Sequence, residues 1–249
     1  MQRNNSQKRV LKIKCTKTQK KDLKKSLKIK QKMPLLKIVA AWSLTMVQEK
    51  RIVGIMGGTF NPIHVGHIQI AVAAYEQFHL PEILMMPSGN PSSYKDTQML
   101  ASASHRCNMV YLAIKNYPYM KLSTLEIDRQ GKTFTSDTLE QLTPFYDTIY
   151  FIIGADSLFA LETWHKAAYV MNHCHFLAAN RNQYKKQELF NRINDLKTTY
   201  HAKIDLIETK DYPFSSTDIR NRVAQNKSVD KMVGMEVAQY IQFNQLYQL

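Results

Sequence analysis

The stretch IVGIMGGTFNPIHVGH, Ile52 to His67, decides the fold of this chain. Its first five residues, Ile52–Met56, form a short apolar run of the kind found in strands buried on both faces. Gly57 and Gly58 follow and let the backbone approach a ligand closely, and from Val65 to Phe78 the periodicity becomes helical. A helix start placed directly after a strand end supplies unpaired N–H groups and a dipole that favours phosphate. His64 and His67 lie three residues apart, so both rings reach one side of the first turn, and neutral or cationic they can donate hydrogen bonds to phosphate oxygens. The spacing is neither GxGxxG nor GxxxxGK[ST], and HExxH is absent. Taken alone, the two histidines read equally well as satisfied surface residues or as a metal pair lacking its third ligand.

Outward from this stretch, strand and helix alternate. Ile83–Pro87 reads as a strand, Ser104–Lys115 as a helix with Met109, Leu112 and Ala113 on one face, and Lys121–Leu125 as a strand. Helix Ser136–Leu142 and strand Ile149–Ile153 follow, then short helices through Trp164 and Ala168, and strand His175–Ala179. Helix Lys186–Thr199, strand Lys203–Ile207 and two closing helices, Ser216–Gln225 and Val233–Phe243, complete the chain. This order predicts an α/β fold, a Rossmann-like and mostly parallel sheet with helices on both faces. In such a sheet the ligand sits beyond the carboxyl ends of the strands, near the topological switch point.

At 249 residues and 44% hydrophobic content the chain can bury one sizeable core, which excludes a disulfide-stapled mini-protein and a disordered polypeptide. The net charge of +14 is concentrated at one end: residues 1–50 hold 15 Lys and Arg against Asp22 and Glu49, leaving 19 basic and 18 acidic residues beyond them. Residues 51–249 therefore form one nearly neutral domain, with no basic surface for a nucleic-acid backbone. Residues 1–50 form a Lys-rich, low-complexity extension that reads as disordered or as a mis-assigned start, with a nucleic-acid or membrane-surface arm as the sharper alternative. Cys15, Cys107 and Cys174 are odd in number and contain no CxxC pair, so the default compartment is the reducing cytoplasm. The apolar stretch Leu35–Val47 follows a basic run as a signal peptide would, but Lys37 interrupts it and it is shorter than the ~20 residues needed to span a bilayer.

A second candidate lies near the other end. Ser215-Ser216-Thr217-Asp218-Ile219-Arg220 stands at a helix start, with Ser215 and Asp218 at capping-box spacing. By itself this is an ordinary N-cap.

Set after Gly57-Gly58-Thr59-Phe60, the His64-Val65-Gly66-His67 string resembles the signature of the nucleotidylyltransferase superfamily, and its full form resembles the bacterial nicotinate-mononucleotide adenylyltransferases. The resemblance runs in order from residue 52 to about residue 247, where Val237, Tyr240-Ile241 and Leu246-Tyr247 are similar to the family's C-terminal helix. It implies the nucleotidylyltransferase fold and adenylyl transfer from ATP to nicotinate mononucleotide, giving deamido-NAD and pyrophosphate. It also implies that Gly57, Gly58, Thr59 and Phe60 line the ATP site, that His64 and His67 contact the α- and β-phosphates, and that Ser216, Thr217 and Arg220 hold the β- and γ-phosphates. In Phe151–Trp164 (FIIGADSLFALETW) it assigns Gly154 and Asp156 to the nucleotide sugar and Trp164 to the pocket wall. In Glu126–Leu139 (EIDRQGKTFTSDTL) it places Phe134 against the pyridine ring, with Thr135 beside it where backbone amides take the carboxylate. Core packing for Phe134 and helix capping for Asp156 are the plain structural readings of those two residues.

The chain departs from the family pattern in three places. Asn90-Pro91-Ser92-Ser93-Tyr94-Lys95 stands where Pro-Pro-His-Lys is usual, so the usual His is lost and the register of Lys95 on the acceptor phosphate shifts. Arg181-Asn182-Gln183-Tyr184 replaces Arg-Pro-Gly-Tyr, keeping Arg181 near the adenine without the rigid turn, and Thr133 stands where Ser or Pro is common. The implied cofactor is Mg²⁺ carried on ATP phosphate oxygens with waters, which requires no protein metal site. The alternatives are nicotinamide mononucleotide or another phosphorylated acceptor, as in a pantetheine-phosphate adenylyltransferase, and a non-catalytic nucleic-acid-binding module that uses the basic extension.

Overall fold

A computed structural model of the chain describes residues 50–90, 99–180, 184–210 and 212–248. They lie in one unit, Lys50–Leu249. The basic extension as far as Glu49, Lys95 and Arg181 lie outside the described residues.

Six strands form one parallel sheet: β1 (Ile52–Gly58), β2 (Ile83–Pro87), β3 (Met120–Leu122), β4 (Thr148–Gly154), β5 (His175–Ala179) and β6 (Lys203–Ile207). Their spatial order, β3-β2-β1-β4-β5-β6, reverses direction between β1 and β4, which is the topological switch point. Helix α1 (Val65–Phe78) follows β1, α2 (Ala103–Ile114) lies between β2 and β3, and α3 (Thr135–Leu142) precedes β4. Beyond β4 come α4 (Ala155–Ala160), a 3₁₀ turn at Leu161–Thr163 and α5 (Ala167–His173). Helix α6 (Lys186–Tyr200) joins β5 to β6, and α7 (Ser216–Ala224), α8 (Asp230–Val233) and α9 (Met235–Phe243) close the chain.

Both faces of the sheet are covered, and β1 divides its side chains between them. Val53 and Ile55 pack with Phe151, Leu158, Phe176 and Leu196 on one face, while Met56 joins Ile68, Met109, Ile219 and Ile241 on the other. Each large aliphatic side chain buried in this way contributes roughly 1.5–3 kcal/mol, so the ends of the central strands are held on a stiff platform. Gly54 lies where a Cβ would stand 2.8 Å from Leu80 Cδ1, so a larger residue at this strand position would make the Leu80 side chain shift.

Three elements differ from the sequence reading by more than one residue at an end. The strand expected at Lys121–Leu125 is Met120–Leu122, because β3 pairs only with Ile83–Met85 of β2; beyond it, Asp128 N–H bonds Thr124 O at 2.9 Å and the chain coils. The closing helix expected over Val233–Phe243 is divided into α8 and α9 at Gly234, whose φ of +85° is incompatible with a continuous helix. Strand β1 also runs two residues longer than Ile52–Met56, with Gly57 and Gly58 paired to Met86 and Pro87.

Candidate active site

The carboxyl ends of β1 and β4 open into a cavity of about 620 Å³ at the switch point. Gly57, Gly58, Thr59 and Phe60 form its floor, Gly154 and Asp156 stand at the end of β4, and His64, His67, Ser216, Thr217 and Arg220 line it from the starts of α1 and α7. A Cβ on Gly58 would lie in ordinary contact, 3.4 Å from the Phe60 ring, and one on Gly154 would displace the Asp156 carboxylate. Phe60, buried and left-handed at φ 48°, turns the chain out of β1 and packs edge-on against His67, with ring centroids 5.1 Å apart.

The α1 start fixes both histidines. His64 is the N-cap and is 2% exposed; its backbone N–H donates to Nδ1 of His67 at 3.2 Å. A nitrogen that accepts cannot carry the proton, so the neutral His67 ring is protonated on Nε2, the tautomer that offers a donor. The two rings stack at 3.7 Å with an interplanar angle of 28°. Gly66 between them is a steric requirement, since a Cβ there would sit 3.0 Å from the His64 imidazole. Phe214 closes the other side of His64 in an edge contact at 5.7 Å.

The α7 start is built as the sequence predicts. Ser215 Oγ accepts from Asp218 N–H at 3.2 Å, and the Asp218 carboxylate accepts from the Ser215 N–H and hydroxyl, each at 2.7 Å. These bonds hold the Asp218 carboxyl below its ordinary pKa. Ser216 donates to Pro62 O at 2.9 Å, and Arg220, 8% exposed, donates to Asn61 O at 2.9 Å and to Thr217 Oγ1 at 3.2 Å. The second helix start is thus fastened to the turn that precedes the first, and two N-terminal dipoles face one cavity.

On the β2 side the wall contains Ser88, Thr133, Thr135 and Glu126, and Trp164 also lines the cavity, in an edge contact with Phe151. Phe134 does not line the cavity; it is the N-cap of α3 and stacks on His165 at 4.4 Å. Glu126 is 7% exposed and accepts from Thr138 Oγ1 at 2.8 Å. Burial raises the pKa of its carboxyl, while the Thr138 bond and the Arg129 charge pull the other way.

Three contributors escape a motif-based reading. Glu126 is one, and Arg106 and Asn61 are the others. Arg106, 1% exposed, donates to the backbone oxygens of Ala101, Thr59 and Gly89 and so ties the β1 and β2 ends together. Its signal was present in the sequence: it stands three residues before Met109 on the buried stripe of α2, where a charge demands partners. Asn61 bonds Met99 O, Ala101 N–H and the Tyr247 hydroxyl, contacts up to 186 residues away that no local pattern reveals.

The cytidylyltransferase-like family model matches residues 55–222, the span from β1 through α7 that builds the cavity. The chain belongs to this nucleotidyltransferase family. Its relatives narrow the membership to the nicotinate-nucleotide adenylyltransferases. The chain is 44% identical over 193 residues to a probable nicotinate-nucleotide adenylyltransferase of Lachnoclostridium phytofermentans, covering 77% of this chain and 96% of that protein. It is 36% identical over 205 residues to the corresponding Thermoanaerobacter protein, covering 81% and 96%. A solved Plasmodium falciparum nicotinic acid mononucleotide adenylyltransferase, complexed with NaAD, shares the fold at a TM-score of 0.62 and 22% identity, over 79% of this chain and 97% of that one.

Proposed function

We infer that the protein transfers the adenylyl group of ATP to nicotinate mononucleotide, releasing pyrophosphate and forming deamido-NAD in NAD biosynthesis. The observation that carries this reading is the convergence of two helix starts, with His64, His67 and Arg220, on one cavity at the switch point of the sheet. In the reaction a phosphate oxygen of the mononucleotide forms a bond to the α-phosphorus of ATP as the bond from that phosphorus to the bridging oxygen breaks. The attacking phosphate is already ionised near neutral pH, so no protein nucleophile is needed and catalysis consists of alignment and charge stabilisation.

His64, and His67 with its proton on Nε2, donate to the α- and β-phosphates. Arg220, Ser216, Thr217 and the α7 amides hold the β- and γ-phosphates as they leave. Gly57, Gly58, Thr59 and Phe60 admit the ATP backbone, Gly154 and Asp156 meet the ribose, and the family resemblance assigns Arg181 to the adenine. Phe134, Thr135, Lys95 and Trp164 belong to the acceptor side. Mg²⁺ brought in on ATP would be held by phosphate oxygens and waters and would neutralise the triphosphate. No described helix is long and apolar enough to cross a membrane, and Cys107 and Cys174 are free thiols; both observations support a cytoplasmic enzyme.

The test is pyrophosphate release from ATP and Mg²⁺, with nicotinate and nicotinamide mononucleotide offered in parallel. A strong preference for the acid is expected. Equal use of the amide would overturn the substrate assignment, and turnover of neither would overturn the reaction.

A further inference from the structure

The last turn of the chain reaches the active-site loop. After α9, Gln245 and Tyr247 both adopt left-handed backbone angles, φ 52° and 62°, and Leu246 N–H bonds back to Ile241 O at 3.0 Å. This reversal buries Tyr247 to 7% exposure and delivers its hydroxyl to Asn61 Oδ1 at 2.8 Å. A phenylalanine would fill the same apolar space, so packing alone does not account for the hydroxyl.

Asn61 is the residue through which the hydroxyl can act. Its Oδ1 also accepts from Ala101 N–H at 3.0 Å, and its Nδ2 donates to Met99 O at 2.8 Å. Its backbone oxygen takes the Arg220 guanidinium at 2.9 Å. The side chain is thus held from two sequence-distant segments while the main chain fixes the arginine at the phosphate end of the cavity. Loss of the Tyr247 bond would loosen the Asn61 turn, and the arginine held by its main chain would shift with it.

We propose that Tyr247, acting through Asn61, is a positioning residue for adenylyl transfer: its hydroxyl fixes the turn that sets Arg220 against the departing pyrophosphate. This rests on the reaction inferred above. Small misplacements of a group that stabilises charge in the transition state are expressed in turnover more than in substrate affinity.

The experiment compares the full-length protein with Tyr247→Phe, Asn61→Ala, Asn61→Asp and the Tyr247→Phe/Asn61→Ala double variant. It measures kcat and KM for ATP and nicotinate mononucleotide, together with thermal melting. Tyr247→Phe is expected to lower kcat about tenfold with both KM values within about twofold. The double variant should be no slower than Asn61→Ala, because two residues that act through one bond lose it once. Asn61→Asp keeps the oxygen that Tyr247 and Ala101 use but gives up the Nδ2 bond to Met99 O, so it should recover part of the kcat that Asn61→Ala loses. An unchanged kcat in Tyr247→Phe, a further loss in the double variant, or an effect confined to melting would each overturn the proposal. If Tyr247→Phe is lost to misfolding, the Asn61 pair still decides, since equal kcat in Asn61→Ala and Asn61→Asp removes the acceptor from the argument. A wild-type protein inactive toward both mononucleotides would defeat the inferred reaction instead, an outcome distinct from all of these.

Discussion

The wall of the cavity formed by the starts of α1 and α7 presents its donors on helical turns closed by bonds between residues three apart, and ties those turns together through Ser216 to Pro62 and Arg220 to Asn61, whereas the wall formed by β2 and α3 draws on bonds between residues five to 29 apart. His64 to His67, Ser215 to Asp218 and Thr217 to Arg220 each complete a first helical turn. Opposite them, Glu126 reaches Thr138, Arg129 reaches both Phe134 and Thr138, and Ser136 reaches His165. The difference follows from what each wall would bind. Phosphate is recognised by aligned backbone amides and a few donors, which one turn of helix supplies. A planar ring needs a slot of defined shape, and a slot is assembled from several segments.

The sharpest way to break the comparison is His67→Ala. If the α1 wall works as a local charge-stabilising device, removing the Nε2 donor should cost about 10²–10³ in kcat for pyrophosphate release. The same change removes the cap on the His64 N–H and should lower stability by about 1 kcal/mol, a shift of a few degrees in melting temperature. Near-normal turnover with lowered melting would reduce His67 to a cap and leave α7 alone with the phosphates.

Phe134→Ala probes the other wall with a smaller expected effect. Stacking of an aromatic ring on a base is worth roughly 1–3 kcal/mol, so loss of a pyridine stack should raise the KM for the mononucleotide about tenfold or more, leaving the KM for ATP unchanged. In this structure Phe134 stacks on His165, and the acceptor must share or displace that contact. An unchanged mononucleotide KM with a lowered melting temperature would mark the ring as support for the α3 start.

The same difference explains what the sequence made legible. The strand ends, the His64–His67 pair and the Ser215–Asp218 box are contiguous patterns whose chemistry and geometry are set within a few residues, and the α/β order of elements carried them to one end of the sheet. Arg106 and Glu126 were readable only as charges inside otherwise apolar or polar stretches, since their burial depends on which helices cover them. Asn61 sits inside the decisive motif, yet its bonds to Ala101 and Tyr247 arise from the folded path of the chain. The shortening of β3 and the break at Gly234 were hidden for a related reason: strand length is fixed by the partner β2, and a glycine within a helical pattern is compatible with either continuity or a turn.

Glu126→Gln sharpens the contrast at the smallest scale, because it changes a charge on the wall built for shape. Glutamine keeps an oxygen for the Thr138 hydroxyl and removes only the titration. Burial places the folded-state pKa of Glu126 above the ordinary carboxylate value of 4.5, so the native state binds the proton more tightly than the unfolded chain does. The carboxyl's favourable contribution is therefore complete below pH 4.5 and is lost as pH rises through the folded pKa. Melting temperatures measured from pH 4.5 to 8 should show Glu126→Gln gaining on the wild-type protein as pH rises, with little change in kcat. A difference independent of pH would mean that the carboxyl is as well solvated in the folded chain as in the unfolded one. The β2 wall would then tolerate charge as readily as the phosphate wall does, and the distinction between a surface that reads charge and one that reads shape would have to be drawn at Phe134 and Trp164 instead.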